Sequence, residues 1–148
     1  MKIASWNVNS IRARLNHVTA WLKTHTPDVL LMQELKSAEF PAEVFKEMGY
    51  ESAAVTQKAY NGVAILSRHP MQTLNTTLAG DELDSHARYL ETTINGIRVV
   101  NIYLPNGNPV GSDKFAYKLA WMDRLITQMS AWREQELQIG RASCRERV

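Results

Sequence analysis

A carboxylate, two amides and a phenol stand where this chain could do chemistry: Glu34, Asn7, Asn106 and Tyr103, each where a strand-like run gives way to polar or turn residues. Glu34 carries the clearest signal. It lies in the stretch VLLMQELK, residues 29–36, whose first four residues have the near-continuous aliphatics of a strand buried on both faces. Ligands of open α/β sheets gather at the carboxyl ends of the strands. A carboxylate left there costs desolvation energy unless a positive group meets it, and a divalent cation is a partner that also does chemistry. Read alone, the stretch equally allows Glu34 to enter a solvated loop or to pair with Lys36. Tyr60-Asn61-Gly62 and Arg88 mark further strand boundaries that could flank the same place. Taken singly, Tyr103 also reads as an edge-of-core tyrosine, and Asn7 and Asn106 as turn formers. The four histidines, His17, His25, His69 and His86, form no metal-binding pattern and read as solvated or capping. No serine-nucleophile elbow, phosphate-binding glycine loop or dinucleotide fingerprint is present.

The elements that must position these residues follow from periodicity. Residues 2–6 form a short strand ending at Asn7, and Asn9 or Ser10 can cap the next helix. Ile11, Leu15, Val18, Trp21 and Leu22 then fall at helical spacing until Pro27 closes the segment. Strand, helix and buried strand make a right-handed βαβ unit, so Asn7 and Glu34 leave one edge of the sheet together. Pro41 opens a short helix that Gly49 ends. Residues 50–56, 62–67, 72–78, 89–94 and 97–104 are strand-like, and the expected sheet is mixed. Asn95-Gly96 is a two-residue hairpin signal. It pairs Ile94 with Ile97 and Leu90 with Asn101, and places Arg88 opposite Tyr103 on one face. Leu104-Pro105-Asn106-Gly107 then breaks the strand, and residues 114–137 read as a long amphipathic helix. The tryptophans Trp6, Trp21, Trp121 and Trp132 read as core.

At 148 residues with 45% hydrophobic content, the chain has the size and composition of one soluble domain or part of a larger one. No apolar run reaches membrane-spanning length and the N-terminus lacks signal-peptide features, which gives a cytoplasmic expectation with no membrane partner. Three arginines and one glutamate within residues 139–148 account for the net charge of +2, leaving residues 1–138 neutral. The single cysteine, Cys144, lies in the same tail, so the body has no thiol chemistry. That tail, IGRASCRERV, resembles translated sequencing adapter. The division expected is residues 1–138 as the N-terminal part of a domain and 139–148 as a non-native tail.

Four strings, SWNVNSIRAR, LLMQELK, YNGVAILSR and NIYLPNG, occur in order and together resemble the exonuclease III family of DNA repair nucleases, within the endonuclease/exonuclease/phosphatase superfamily. The resemblance runs from residue 2 to about residue 138. It implies an α/β fold, the first half of a four-layered α/β sandwich, with this chain supplying the first sheet and its helices. A sheet face left open for a second sheet would then favour poor solubility or association.

It also implies magnesium-dependent hydrolysis of DNA phosphodiesters, with manganese as a substitute metal, acting on double-stranded DNA at abasic sites or 3′ ends. Full-length relatives are expected to be monomeric. By matching position, Glu34 is the metal ligand and Asn7 helps organise metal and carboxylate. Tyr103 is the catalytic tyrosine near the scissile phosphate. Asn106, Tyr60, Asn61 and Arg88 hold phosphate or DNA backbone, and Lys36 pairs with the acid or approaches DNA. The family's later motifs, a GDFN-like segment and an aspartate-histidine pair, have no counterpart, so the chain is expected to be inactive alone. Another phosphoesterase of the superfamily, or a non-catalytic DNA-binding fragment, are the alternative readings.

Overall fold

The computed structural model describes residues 1–135, so the tail at 139–148 lies outside the described residues. Among the described residues, 1–76 with 86–103 form one compact unit, and 77–85 with 104–135 form a second.

The first unit begins with β1 (Ile3–Asn7), α1 (Ile11–His25) and β2 (Val29–Gln33). Ser10 is the cap of α1, its Oγ accepting from the Ala13 N–H at 3.3 Å. Thr26 in the left-handed region ends it, with Pro27 next. After α2 (Ala42–Glu47) come β3 (Glu51–Val55) and β4 (Val63–Ser67). These strands form a four-stranded sheet ordered β1-β2-β4-β3, with β1 parallel to β2 and the other pairs antiparallel. The expected βαβ unit is present, and Asn7 stands opposite Gln33. β2 and β4 are buried along their whole length, as their unbroken aliphatics require. Alternation assigns their two faces. Leu30, Met32, Ala64 and Leu66 pack with Ile11, Val18 and Leu22 of α1 and Phe45 of α2. At roughly 1.5–3 kcal/mol for each fully buried large aliphatic, this face is a main source of the unit's stability.

The opposite face departs from the expectation of one sheet with an open side. β5 (Met71–Asn75), β6 (Tyr89–Ile94) and β7 (Ile97–Ile102) form a separate antiparallel sheet ordered β5-β6-β7. Its Leu90, Ile94 and Val99 cluster with Val29, Leu31, Val63 and Ile65 of the first sheet, so that face is covered within the chain. The switch of sheets occurs in a tight corner after β4. There the Ser67 hydroxyl donates to the His69 carbonyl at 2.8 Å and accepts the His69 N–H at 3.0 Å, and Pro70 has no N–H to extend a ladder. Strand propensity locates the strands but not which edges pair. The hairpin register is as expected, with Ile94 opposite Ile97, Leu90 opposite Asn101, and Asn95 and Gly96 both at positive φ.

Two buried polar groups tie this unit together. Asn101 on β7 donates through Nδ2 to the carbonyls of Met32 and Ala64, both at 2.8 Å, which pins the second sheet to the two central strands of the first. Its Oδ1 accepts from Gln33 Nε2 at 2.8 Å, and the same Nε2 lies 3.1 Å from Ser5 Oγ. The two carbonyls fix the Asn101 amide orientation, and Asn101 in turn fixes that of Gln33. Within the second sheet, the buried Glu91 carboxylate accepts from Tyr89 at 2.8 Å and Asn75 at 2.9 Å, and pairs with Arg98. Burial raises the Tyr89 pKa, so the phenol stays protonated as a donor.

In the second unit, Ser112 caps α3 (Asp113–Glu134), and Trp121 and Trp132 are buried. Arg124 of α3 gathers residues 78–84. Its Nε donates to the Ala79 carbonyl at 3.1 Å, one terminal nitrogen to the Leu78 carbonyl at 2.6 Å, and the other to Asp84 at 2.8 Å.

His69 is not merely solvated or capping: its Nε2 lies 2.9 Å from Asp28 Oδ1. The Lys2 backbone N–H, and after it the His69 hydrogen bond, hold the Asp28 carboxyl below its ordinary value of 3.8. A depressed carboxylate stabilises the fold fully above its unfolded pKa, and that contribution is lost as pH falls through the folded value. Asp28→Asn should therefore be less stable than the native chain near neutral pH, with the gap closing below about pH 4 in urea titrations. Asn101→Asp should destabilise more than Asn101→Leu, because it sets a carboxylate against two carbonyl oxygens. Each should cost on the order of 1–3 kcal/mol or more by equilibrium denaturation, and a change within about 0.5 kcal/mol for both would remove the brace from the account.

Candidate active site

The ends of β1 and β2 and the start of β6 open onto one run of backbone hydrogen bonds within the first unit. Val8 N–H donates to the Gln33 carbonyl, Ser10 N–H to Glu34 and Ile11 N–H to Leu35. On the other side, Leu35 N–H donates to Gly62 and Lys36 N–H to Asn61. Gly62 N–H then donates to Ala87, and Tyr103 N–H to the Arg88 carbonyl at 2.8 Å. Five segments far apart in sequence thus form one edge carrying Asn7, Glu34, Lys36, Asn61, Arg88 and Tyr103. Beneath it, Gln33 precedes Glu34 and Asn101 lies two residues before Tyr103, so the Gln33–Asn101 hydrogen bond fixes one strand end against the other.

This edge is strained. Asn9, Ser10, Glu34, Lys36 and Asn61 all adopt positive φ, five of the eight non-glycine residues that do so among the described residues. Such backbone costs about 1–3 kcal/mol per residue and persists where surrounding bonds over-determine it. Gly62 shows why no side chain is tolerated there. At φ 96° its backbone packs so close to Leu35 that a Cβ would stand 2.8 Å from the Leu35 Cβ.

The polar groups sort by their contacts. Glu34 holds a mostly buried carboxylate, its side chain 14% exposed, with Lys36 Nζ 3.2 Å from Oε1. The same ammonium donates to Asn9 Oδ1 at 2.6 Å. The Asn7 amide oxygen accepts the Asn9 N–H at 3.1 Å, which orients Asn7 at the end of β1. The pairing of Lys36 with the acid is present, and Asn9 joins it. From the sequence Asn9 reads only as a helix cap, since a short asparagine two residues beyond a strand gives no signal of a contact 27 positions away.

On the other side, Arg88 lies over the Tyr103 ring, 4.8 Å from its centroid, and donates to the Tyr103 carbonyl at 3.2 Å. The hairpin count from Asn95-Gly96 foresaw this pairing. Asn61 is buried, and its amide donates to Gln57 Oε1 at 2.9 Å. Gln57 also accepts the Ala87 N–H at 3.0 Å, so Asn61 braces the loop from within, whereas Tyr60 beside it is 70% exposed. Gln57 carried no sequence signal, lying in a polar loop. Asn106 belongs to the second unit, where it is exposed and its carbonyl accepts from Lys118 Nζ at 3.3 Å.

The oxygens that share the Lys36 ammonium are the Glu34 carboxylate and the Asn9 amide, and the Asn7 amide oxygen is linked to them through the Asn9 N–H. That chemistry fits a hard divalent ion, which prefers oxygen and commonly takes only one or two protein carboxylates. Among the described residues no three His, Cys, Asp or Glu side chains gather. Paired with a phenol and a guanidinium along the same edge, the set is suited to an oxyanion and its counter-cation.

Comparison with known proteins shows the family. Exodeoxyribonuclease III of Haemophilus influenzae is 34% identical over 113 residues, covering 72% of this chain and 42% of that protein. A solved 3′-5′ exonuclease, NExo from Neisseria meningitidis, is 42% identical with a TM-score of 0.81, covering 84% of this chain and 50% of that one. A solved AP endonuclease from Archaeoglobus fulgidus is 42% identical with a TM-score of 0.80, covering 84% and 49%. The chain thus spans half or less of the length of each. The pattern of the endonuclease/exonuclease/phosphatase family matches residues 4–140, and the chain belongs to that family.

Proposed function

We propose that this chain carries part of the active site of a magnesium-dependent exodeoxyribonuclease III or abasic-site endonuclease, acting on phosphodiesters of double-stranded DNA. The observation that carries the reading is the convergence of Asn7, Glu34, Arg88 and Tyr103 along one hydrogen-bonded edge. Relatives named as an exodeoxyribonuclease and an AP endonuclease support the substrate class.

Glu34 would hold the magnesium ion, with Asn7 beside it, and manganese would serve in its place. When bound, the metal polarises a phosphoryl oxygen and stabilises the leaving alkoxide. The chain's own residues supply the rest. Lys36 orients the Glu34 carboxylate through its 3.2 Å contact. Arg88 stacks on Tyr103 and so limits the orientations of the ring. The Tyr103 hydroxyl would donate to a non-bridging phosphate oxygen, where a fixed donor stabilises charge that grows in the transition state. Asn106 and Tyr60, both exposed, would meet the DNA backbone, and Asn61 would hold the loop that presents Tyr60. The described residues offer one carboxylate at this edge, which metal binding would occupy, leaving an attacking water without a proton acceptor. This chain alone should therefore bind but not incise.

Titrated with Mn²⁺ and followed by its electron paramagnetic resonance signal, the native chain should bind the ion. Glu34→Gln should weaken that binding by at least about tenfold, since losing even an outer partner of a metal site costs roughly 10–100-fold. Equal affinity of the two would remove Glu34 as the ligand. Incubated with abasic-site duplex and magnesium, the chain should show no incision above background. Cleavage at a rate comparable to the Haemophilus enzyme would overturn the inference that it needs further groups.

A further inference from the structure

The loop after β7 is held by a cation that no motif singles out. Gly107, at φ 74°, is buried against Lys118 of α3, and a Cβ built on it would lie 2.6 Å from Lys118 Cδ and 3.0 Å from Lys118 Cβ. The lysine stem therefore crosses the glycine in close contact, and its Nζ reaches the Asn106 carbonyl at 3.3 Å. Among the described residues no carboxylate pairs with Lys118, although Lys36, Lys46, Arg98 and Arg124 all have acidic partners. A neutral donor would hold a carbonyl as well. A lysine adds a positive charge and two further N–H bonds beside the exposed amide of Asn106.

We propose that Lys118 is a phosphate-binding residue that acts together with Asn106, the two forming a subsite for one phosphodiester oxyanion of the DNA backbone. The proposal rests on the nuclease reading and deepens it. Gly107 has its role in the same device: only a residue without a side chain lets the lysine stem pass over the loop and bring its ammonium to Asn106. The ammonium fixes the loop through the carbonyl and meets the phosphate with its remaining donors.

The test is duplex DNA binding by the whole chain, measured from about 50 to about 200 mM salt. Each neutralised phosphate contributes about 0.9 to the slope of log affinity against log salt. Lys118→Gln should reduce that slope by about one, Lys118→Arg should keep it, and Lys46→Gln, which removes a charge from α2, should leave it unchanged. A residue that only braced the loop would lower affinity at every salt concentration without changing the slope. An unaltered slope in Lys118→Gln overturns the proposal while leaving the nuclease reading intact, and an equal loss in Lys46→Gln overturns it as an effect of net charge. Absence of salt-dependent duplex binding by the native chain would overturn both.

Discussion

The structure of the first unit depends on one side chain, Asn101, buried between two sheets and hydrogen-bonded at both ends. Face-to-face packing of sheets through aliphatic side chains is non-directional, so the contacts of Val29, Leu31, Ile65, Leu90 and Ile94 tolerate small slides of one sheet over the other. The two bonds from the Asn101 amide to Met32 and Ala64 do not. Hydrogen bonds weaken steeply with misalignment, and a buried amide that loses its partners costs on the order of 1–3 kcal/mol. Aliphatic burial thus supplies the attraction and the amide supplies the registration. Gln33 extends the registration toward the edge, so the backbone from which Glu34 departs is tied to the strand that carries Tyr103. Its Oε1 is buried without a partner among the described residues, a cost tolerated where the Nε2 contacts are needed.

Above that brace, the concentration of left-handed residues has a common cause. The backbone of residues 8–11 and 61–62 bonds to the loop that carries Glu34 from both sides, and the loop cannot relax into extended conformation without losing those bonds. Strain in Glu34, Lys36 and Asn61 is balanced by hydrogen bonds and by the Gly62–Leu35 approach. The result is a carboxylate whose direction is set by backbone constraint as well as by its own rotamer. A phosphoryl-transfer site needs this, because positioning and fixed charge provide most of its catalysis.

These features were legible in the sequence to different degrees. Local signals held where a single physical cause dominated: the aliphatic run of β2, the helical spacing from Ile11 to Leu22, and the Asn95-Gly96 turn, whose register led directly to the Arg88–Tyr103 contact. The second sheet was not legible, since nothing in a strand's composition names the edge it joins. The corner at Ser67–Pro70 makes sense only once the hydroxyl is seen closing on His69. Likewise Asn101, Gln57 and Asn9 are polar residues whose roles lie in contacts across tens of residues, and their local surroundings read as strand, loop and cap. The asparagine within NIYLPNG was visible as part of a string, but its reach into the other sheet was not.

Charge sets the last constraint on how such a site could recognise a polyanion. Residues 1–138 are neutral overall, so net charge gives this body no overall attraction for a polyanion. At physiological salt, interactions between exposed charges fade beyond roughly 8 Å. Recognition by a neutral body must therefore come from cations and donors held within that distance of a phosphate, and Lys36, Lys46, Arg98 and Arg124 are already balanced by acids. What matters for the others is whether the fold sets them beside a donor that can meet the same phosphate. A loop whose glycine admits a lysine stem, and an edge whose backbone is bent to fix one carboxylate, are two solutions to the same problem: with little field to rely on, each charge has to be placed.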